Sequence, residues 1–366
     1  MSNNIRTMIC SFSNLYDATQ ICRKGVKWKD SVAHFSNHSL VSVYRLKQRL
    51  DNNTYDLSAY SIFEIREPKL RKITSTRFKD RVVQRTMCDN YLTKEITKNF
   101  ISDNYACQKN KGTDRARECL TRHLKSYCRE FGIDGYVLKV DIHDYFGSTN
   151  HDVAIAAVNK RVGDEWVRSE VKRIIESFGE GENKGIGLGS QVSQLIQLAV
   201  LDDMDHLITE QLGIQLYVRY MDDCILIHHD KNHLKHCLKV IKEHLASIHL
   251  EISPKKTQLF KVSQPIKFLG FTYKLHESGK VTWRILPENV KCQKRKLRKL
   301  ANKVLQGRIT IEKFDECYQS WRAHAKKSDS RYTIRKLDKY QKNLKEELIH
   351  GKKKTSPTQT SRTNRG

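Results

Sequence analysis

The sequence predicts an α+β fold built on a split βαβ antiparallel sheet with helices on one face. Three observations point there. "YVLKVDI" (136–142) is an apolar run ending on Asp141 and reads as a buried strand. "LYVRY" and "CILIH" are two runs of β-propensity residues joined by Met221, Asp222 and Asp223, as in a hairpin. Helical periodicity fills the intervals, so the order reads β, α, α, ββ, α, β, β.

Residues 1 to about 60 alternate polar helical patches, such as "SLVSVYRLKQRLDNNTYD", with short linkers, and no period of 20 to 50 residues recurs. In "SIFEIREPKLRKITSTRFKDRVVQ" a strand over 62–65, a turn at Pro68 and a second short strand lead into a helix over 79–96. The result is a basic hairpin followed by a helix. After the 136–142 strand come helices over 151–161 and 165–178, the glycine-rich "GEGENKGIGLGSQVSQ", and a helix over 190–211. A helix over 231–248, then "LEISPKKTQLF" and "IKFLGFTYKL", complete the set. Past Glu288 the chain turns helical and basic in "KCQKRKLRKLANKVL", with further helices near 311–323 and 331–347. The tail "GKKKTSPTQTSRTNRG" has no apolar anchor and is expected to be disordered.

Composition narrows the partners. The 366 residues carry 67 Lys and Arg against 41 Asp and Glu, a formal charge of +26. Self-repulsion of that size favours a polyanionic partner, nucleic acid first and an acidic membrane surface second. No apolar run approaches the roughly 20 residues of a spanning helix, and the first twenty residues lack the apolar core of a signal peptide. A soluble, intracellular protein that does not enter membranes is expected. The ten cysteines form no C-x-x-C pair and no Cys/His quartet at zinc spacing, and read as reduced, mostly buried thiols.

An aspartate at a hairpin tip is ordinary by itself. Asp141 changes the reading, because it ends a strand placed beside the hairpin in the proposed sheet. Carboxylates converging at one sheet edge repel by several kcal/mol unless cations sit among them. Hard divalent ions with oxygen ligands suit such a cluster, and two of them about 4 Å apart stabilise an in-line phosphoryl displacement. Magnesium is the expected metal, as two ions, with manganese as a substitute.

At this point "YMDD" in a hairpin, "KVDIHDYF" upstream, "FLGF" downstream and "KDRVVQ" near the start resemble the ordered motifs of reverse transcriptases, across roughly residues 60 to 275. The resemblance implies a right-hand polymerase fold. Residues 1–134 would hold the N-terminal region and fingers, 135–280 the palm with a fingers return near 155–195, 285–349 a helical thumb, and 350–366 a disordered basic tail. It also implies RNA-directed DNA polymerase activity on an RNA template, a DNA or RNA primer and dNTPs.

Residue by residue, the resemblance makes Asp141 and Asp222 the main metal ligands, with Asp223 in support and the carbonyl of Ile142 contributing. Phe146 takes the place of the ring beneath the incoming sugar, where it would clash with a 2′-OH. Burial statistics alone make Phe146 equally a core ring. Lys69 and Arg71 match the residues that grip the triphosphate, with Lys72 as a substitute for either; without the motif all three read as a solvated basic strand. Lys256 matches the general acid for the pyrophosphate leaving group, with Lys255 competing. Phe268, Leu269 and Gly270 resemble the primer grip, and the basic helices beyond 288 a thumb that holds duplex phosphates.

"LGSQVSQ" departs from the usual Gln-Gly and Ser-Pro pairs, carrying Leu188-Gly189 and Ser193-Gln194 instead. That pattern is similar to the enzymes of diversity-generating retroelements, as are "YACQKNKGT" and "SWRAHAKKSDS". Gly189, Ser193 and Gln194 would then lie against the templating base and dNTP, where changed side chains loosen base-pair checking. The same resemblance implies copying with errors at template adenines, a small basic accessory protein as partner, and a cytoplasmic enzyme of bacterial or phage origin. A defence-associated or other bacterial reverse transcriptase is the alternative lineage. Two rivals of other classes are a catalytically silent RNA-binding scaffold and a two-metal nuclease. The first has no use for the three aspartates, and the second none for Phe146 and the basic hairpin.

Overall fold

The computed structural model describes residues 2–66 and 70–354. Four helices come first: α1 (Ser2–Ile9), α2 (Phe12–Cys22), α3 (Asp30–Asn37) and α4 (Ser39–Asp51). α4 buries a narrow stripe of Val43, Leu46 and Leu50 and turns Arg45 and Arg49 outward. The basic hairpin is β1 (Ser61–Ile65) against β2 (Arg71–Ser75), with Glu64 opposite Lys72 and Ile65 opposite Arg71. The helix expected over 79–96 is three pieces: α5 (Phe78–Met87), a wide π turn over Cys88–Leu92 and α6 (Thr93–Thr97).

A long helix follows that the sequence reading did not assign, α7 (Thr113–Phe131). Ala116, Cys119, Leu120, His123, Leu124 and Tyr127 recur at helical spacing along it and are all buried. After β3 (Tyr136–Asp141) come α8 (Tyr145–Ser148), α9 (His151–Asn159) and α10 (Glu165–Glu176). Asn150 caps α9 and Asp164 caps α10, each side chain accepting from first-turn amides. The helix expected over 190–211 breaks at Leu201 into α11 (Gln191–Val200), α12 (Asp202–His206) and a π turn over Leu207–Gln211. At the break Asp202 turns inward to meet Arg161 at 2.7 Å, both side chains buried.

The hairpin is β4 (Leu216–Tyr220) and β5 (Asp223–His228), followed by α13 (Lys231–Ser247) and β6 (Gln258–Lys261). Four strands form one antiparallel sheet in the order β4-β5-β3-β6. Its centre is apolar, with Val137, Leu138, Val140, Ile225, Leu226 and Ile227 all buried, each contributing about 1.5–3 kcal/mol. α13 packs on β3 and β5, and α7 on β4 and β5. Burial on both sides explains why these strands read as apolar runs rather than alternating ones.

The chain divides into two compact units between Lys261 and Val262, inside the segment expected to form the palm up to residue 280. "IKFLGFTYKL" is not one strand of the four-stranded sheet. It makes a hairpin, β7 (Ile266–Phe268) and β8 (Phe271–Leu275), which with β9 (Val281–Ile285) forms a separate three-stranded sheet. The rest of this unit is α14 (Pro287–Leu305), α15 (Ile311–Ala325) and α16 (Arg331–Lys354), closed around Leu297, Val304, Phe314, Tyr318 and Leu337. α16 extends past the expected start of the tail at 350, and residues 355–366 lie outside the described residues.

Candidate active site

β3 and β5 run antiparallel in a register that sets Asp141 opposite Asp223, so the two side chains share one face of the sheet. Asp222 occupies the two-residue turn, between Tyr220 and Asp223, which pair across it. Met221, the other turn residue, has φ +55°, a left-handed conformation that L residues adopt at a cost. The turn is held from below. Arg219, fully buried, donates from Nη1 to the Met221 carbonyl at 3.1 Å and from Nε to the Asp205 carboxylate at 2.7 Å. Tyr217 donates its hydroxyl to the same carboxylate at 2.7 Å. The backbone of Arg219 pairs with a second loop, donating to the Asp103 carbonyl at 3.0 Å and accepting from the Tyr105 amide at 3.1 Å.

Two lysines face the three aspartates. Lys139, one turn of the pleat back on β3, places Nζ 3.0 and 3.1 Å from the two oxygens of Asp223. Lys256 forms an ion pair with Asp141. Its position follows from the loop that carries it: the Ser253 amide donates to the Asp141 carbonyl at 2.7 Å, and the amides of Lys256 and Thr257 fold back on the Ser253 carbonyl. Lys255, the competing candidate, is exposed. Burial pushes the Asp223 carboxyl up to about 6, against the pull of Lys139 and helped by the charges of Asp222 and Asp141. Burial also raises Asp222, with Asp141 adding to it and Lys256 and Arg71 opposing. The three carboxylates therefore act on one another, yet their oxygens do not gather within 4.8 Å. Among the described residues only Asp103, Cys119 and His123 gather so closely.

Ile142, buried directly after Asp141, precedes a tight bend in which Asp144 takes φ +37° and α8 begins. Phe146 is half-buried on α8, its ring 5.9 Å from that of buried Tyr145 in a T-shaped pair, and its carbonyl accepts from the Ile186 amide at 2.7 Å. Arg71 is exposed on β2 and acts electrostatically on Asp222. Lys72 is exposed beside it; Lys69 lies outside the described residues.

The "LGSQVSQ" segment lies against β2. Gly189 has φ +123°, a conformation that favours glycine, and a Cβ there would stand a tight 3.2 Å from the Thr74 carbonyl. Ser190 caps α11 and donates to Gln84 at 2.7 Å, tying this segment to the last residue of "KDRVVQ". Gln194 is half-buried and accepts from the Cys107 thiol at 3.2 Å. Ser193 is fully buried, and among the described residues its hydroxyl has no hydrogen-bond partner. In the second unit, Phe268 is buried and pairs with Phe271 across a turn in which Leu269 and Gly270 have φ +44° and +85°, the conformation of tight primed hairpins.

Arg219, Asp205 and Lys139 were not singled out from the sequence. Lys139 was readable, since it lies two residues before Asp141 on the same face of an otherwise apolar strand. Nothing in the sequence marks Asp205 as the partner of Arg219.

Residues 65–273, more than half of the chain, match the sequence model of the family described as reverse transcriptase (RNA-dependent DNA polymerase). The chain belongs to that family. No curated protein matches it. Among solved structures it is similar to telomerase from Candida albicans in complex with a fragment of telomeric RNA, at 11% identity and a TM-score of 0.47, over 72% of this chain and 54% of that one. It is also similar to apo telomerase from Candida tropicalis, at 14% identity and a TM-score of 0.44, over 60% of this chain and 47% of that one. The chain spans about half the length of these relatives. Among the described residues no helix is long and apolar enough to cross a membrane.

Arg219→Ala leaves Asp205 buried without its counter-charge and is expected to cost about 3–5 kcal/mol of unfolding free energy in chemical denaturation. A loss under about 1 kcal/mol would mean that the turn does not rest on this pair. Asp223 has the opposite signature. It holds its proton in the folded chain up to about pH 6 and in the open chain only to 3.8, so the fold binds more protons in that window and loses stability as pH rises through it. The unfolding free energy of the metal-free wild type, relative to Asp223→Asn, should fall by about 1–3 kcal/mol between pH 4 and pH 6. A flat difference over that range would remove the perturbed carboxyl.

Proposed function

We propose that this chain is an RNA-directed DNA polymerase that copies an RNA template into cDNA by two-metal phosphoryl transfer from dNTPs. The observation that carries the reading is the register of Asp141 with Asp223, with Asp222 at the turn between β4 and β5, in a chain of the reverse transcriptase family. The donors fit hard divalent cations: they are oxygens only, and burial and mutual repulsion raise the proton affinity of two of them, which is the mark of a site short of positive charge.

Asp141 and Asp222 would hold two magnesium ions, or manganese in their place, with the Ile142 carbonyl as a further ligand and Asp223 in support. Bound there, the ions would supply charge neutralisation at the attacking and leaving oxygens. The chain's own groups do the rest. Lys69 and Arg71 bind the triphosphate. Phe146 excludes a 2′-OH. Lys256, released from Asp141 once cations occupy the site, delivers a proton to the pyrophosphate oxygen that leaves. The Leu269-Gly270 turn brings backbone to the primer end, and α14, with its run of lysines and arginines, holds the duplex by its phosphates.

Within the family, Leu188-Gly189 and Ser193-Gln194 support the retroelement lineage. The segment packs on β2 of the basic hairpin through Gly189, so a change in it acts on the nucleotide side of the site. A small basic accessory protein belongs to the same reading.

Extension of oligo(dT) on poly(rA) tests the activity. Wild type should extend; Asp222→Ala should lose at least about a thousandfold in rate while RNA affinity holds or rises, because a ligand and a repulsive charge go together. RNA binding without extension by the wild type would leave a scaffold instead. In the same assay Phe146→Ala should begin to incorporate rNTPs, and unchanged sugar selectivity would take Phe146 out of the gate. Sequencing cDNA made from a template containing all four bases tests the lineage. Errors concentrated at adenines are expected, whereas an even spectrum from an active enzyme would remove the retroelement reading and leave the polymerase standing.

A further inference from the structure

On α7, Cys119 and His123 stand four residues apart and therefore on one helical face. Asp103 meets them from the loop that pairs with β4. The Cys119 sulfur lies 3.5 Å from His123 Nε2, and Asp103 Oδ2 lies 3.1 Å from the same nitrogen. One ring nitrogen thus faces both a sulfur and a carboxylate oxygen, although it can carry only one hydrogen and so can bond only one of them. The three potential ligand atoms lie within 4.8 Å of one another, close enough to share a cation. The spacing agrees in size: bond lengths of about 2.3 Å for Zn–S and about 2.0–2.1 Å for Zn–N and Zn–O give tetrahedral edges of about 3.6 Å and about 3.3 Å.

The surroundings keep these donors in place. Tyr105 donates its hydroxyl to Asp103 Oδ1 at 3.0 Å and Arg122 approaches the same oxygen at 3.4 Å, which leaves Oδ2 to face the ring. Arg122 also donates to the Cys119 sulfur at 3.3 Å, as donors around a metal-bound thiolate do. Cys119 and His123 are buried, while Asp103 also borders a surface depression of about 410 Å³ shared with Ser102, His206 and Tyr217. We propose that Asp103, Cys119 and His123 bind one thiophilic divalent cation of the zinc class, with water as the fourth ligand. The site is separate from the aspartates of the sheet. Because the Asp103 carbonyl holds the Arg219 amide at 3.0 Å, the ion would pin α7 to the strand that leads into the Met221-Asp222 turn. A hard, oxygen-preferring ion such as magnesium has no use for a thiolate, so the two sites would take different ions.

The test uses the full chain, stripped of metal and titrated with cobalt(II) in the presence of saturating magnesium. One equivalent should bind with the intense visible absorption of a four-coordinate ion and a thiolate-to-cobalt charge-transfer band. Cobalt on carboxylates alone would give neither. Zinc should displace it and raise the melting temperature, and a chelator should reverse the rise. Cys119→Ser should abolish the charge-transfer band and His123→Gln should weaken binding at least tenfold, with circular dichroism used to confirm folding. Asp103→Asn, which keeps the shape of the side chain, serves as the second variant and should weaken binding at least tenfold. Less than one equivalent bound, a spectrum without the thiolate band, or a band that survives Cys119→Ser overturns the proposal.

Discussion

Three carboxylates crowded at the ends of two neighbouring strands are the constraint around which the first unit is organised. The register of β3 with β5 forces Asp141 and Asp223 onto one face, and the turn adds Asp222. Unscreened, such charges cost several kcal/mol at an intermediate dielectric. The chain meets this locally rather than through its general excess of basic residues. Lys139 is built into the strand beside Asp223, and Lys256 is carried to Asp141 by a loop whose amides are fixed on Ser253 and Asp141.

A second ion pair lies beneath the first group and has a different character. Arg219 and Asp205 are fully buried, so each has given up its hydration, and their attraction only offsets that loss if every donor finds a partner. Four of the five guanidinium N–H groups are accounted for: Nε and Nη2 on Asp205, Nη2 also on the Leu198 carbonyl, Nη1 on the Met221 carbonyl. What the arrangement secures is geometry. It joins α12, the end of α11, β4 and the loop at Asp103 to a turn whose backbone is left-handed at Met221. A packed apolar plug could stabilise the strand as well, but it would give the Met221 carbonyl nothing to bond.

Much of this was legible in the sequence where a single stretch of chain carried the signal. The apolar run that ends in Asp141 and the two β-rich runs around "MDD" specify a buried strand and a hairpin by themselves. Gly189 and Gly270 sit where the backbone needs positive φ. The Arg219–Asp205 pair was not legible, because an ionic contact across fourteen residues and a broken helix leaves no local trace. α7 is different: Ala116, Cys119, Leu120, His123, Leu124 and Tyr127 recur at helical spacing along it, so the helix was legible and was not read. At the break after Leu201 Asp202 meets Arg161, and in the separate sheet Trp283 of β9 stacks on Tyr273 of β8; neither contact is carried by a single stretch of sequence.

The two lysines divide the acidic group into unequal parts. Lys139 is only 15% exposed and rises from a strand interior, so its contact with Asp223 is the more confined of the two. Lys256 is 45% exposed on a loop, while the Asp141 it pairs with is 10% exposed. A long, solvated side chain gives up one ionic contact at small cost, whereas the buried carboxylate it leaves needs another cation at once. On the proposed reading, Asp141 is therefore the position at which a bound cation would replace the lysine, and Asp223 is not. That difference in burial between two lysines, rather than any difference between the aspartates, gives the supporting residue and the primary ligand their separate roles in the proposed mechanism.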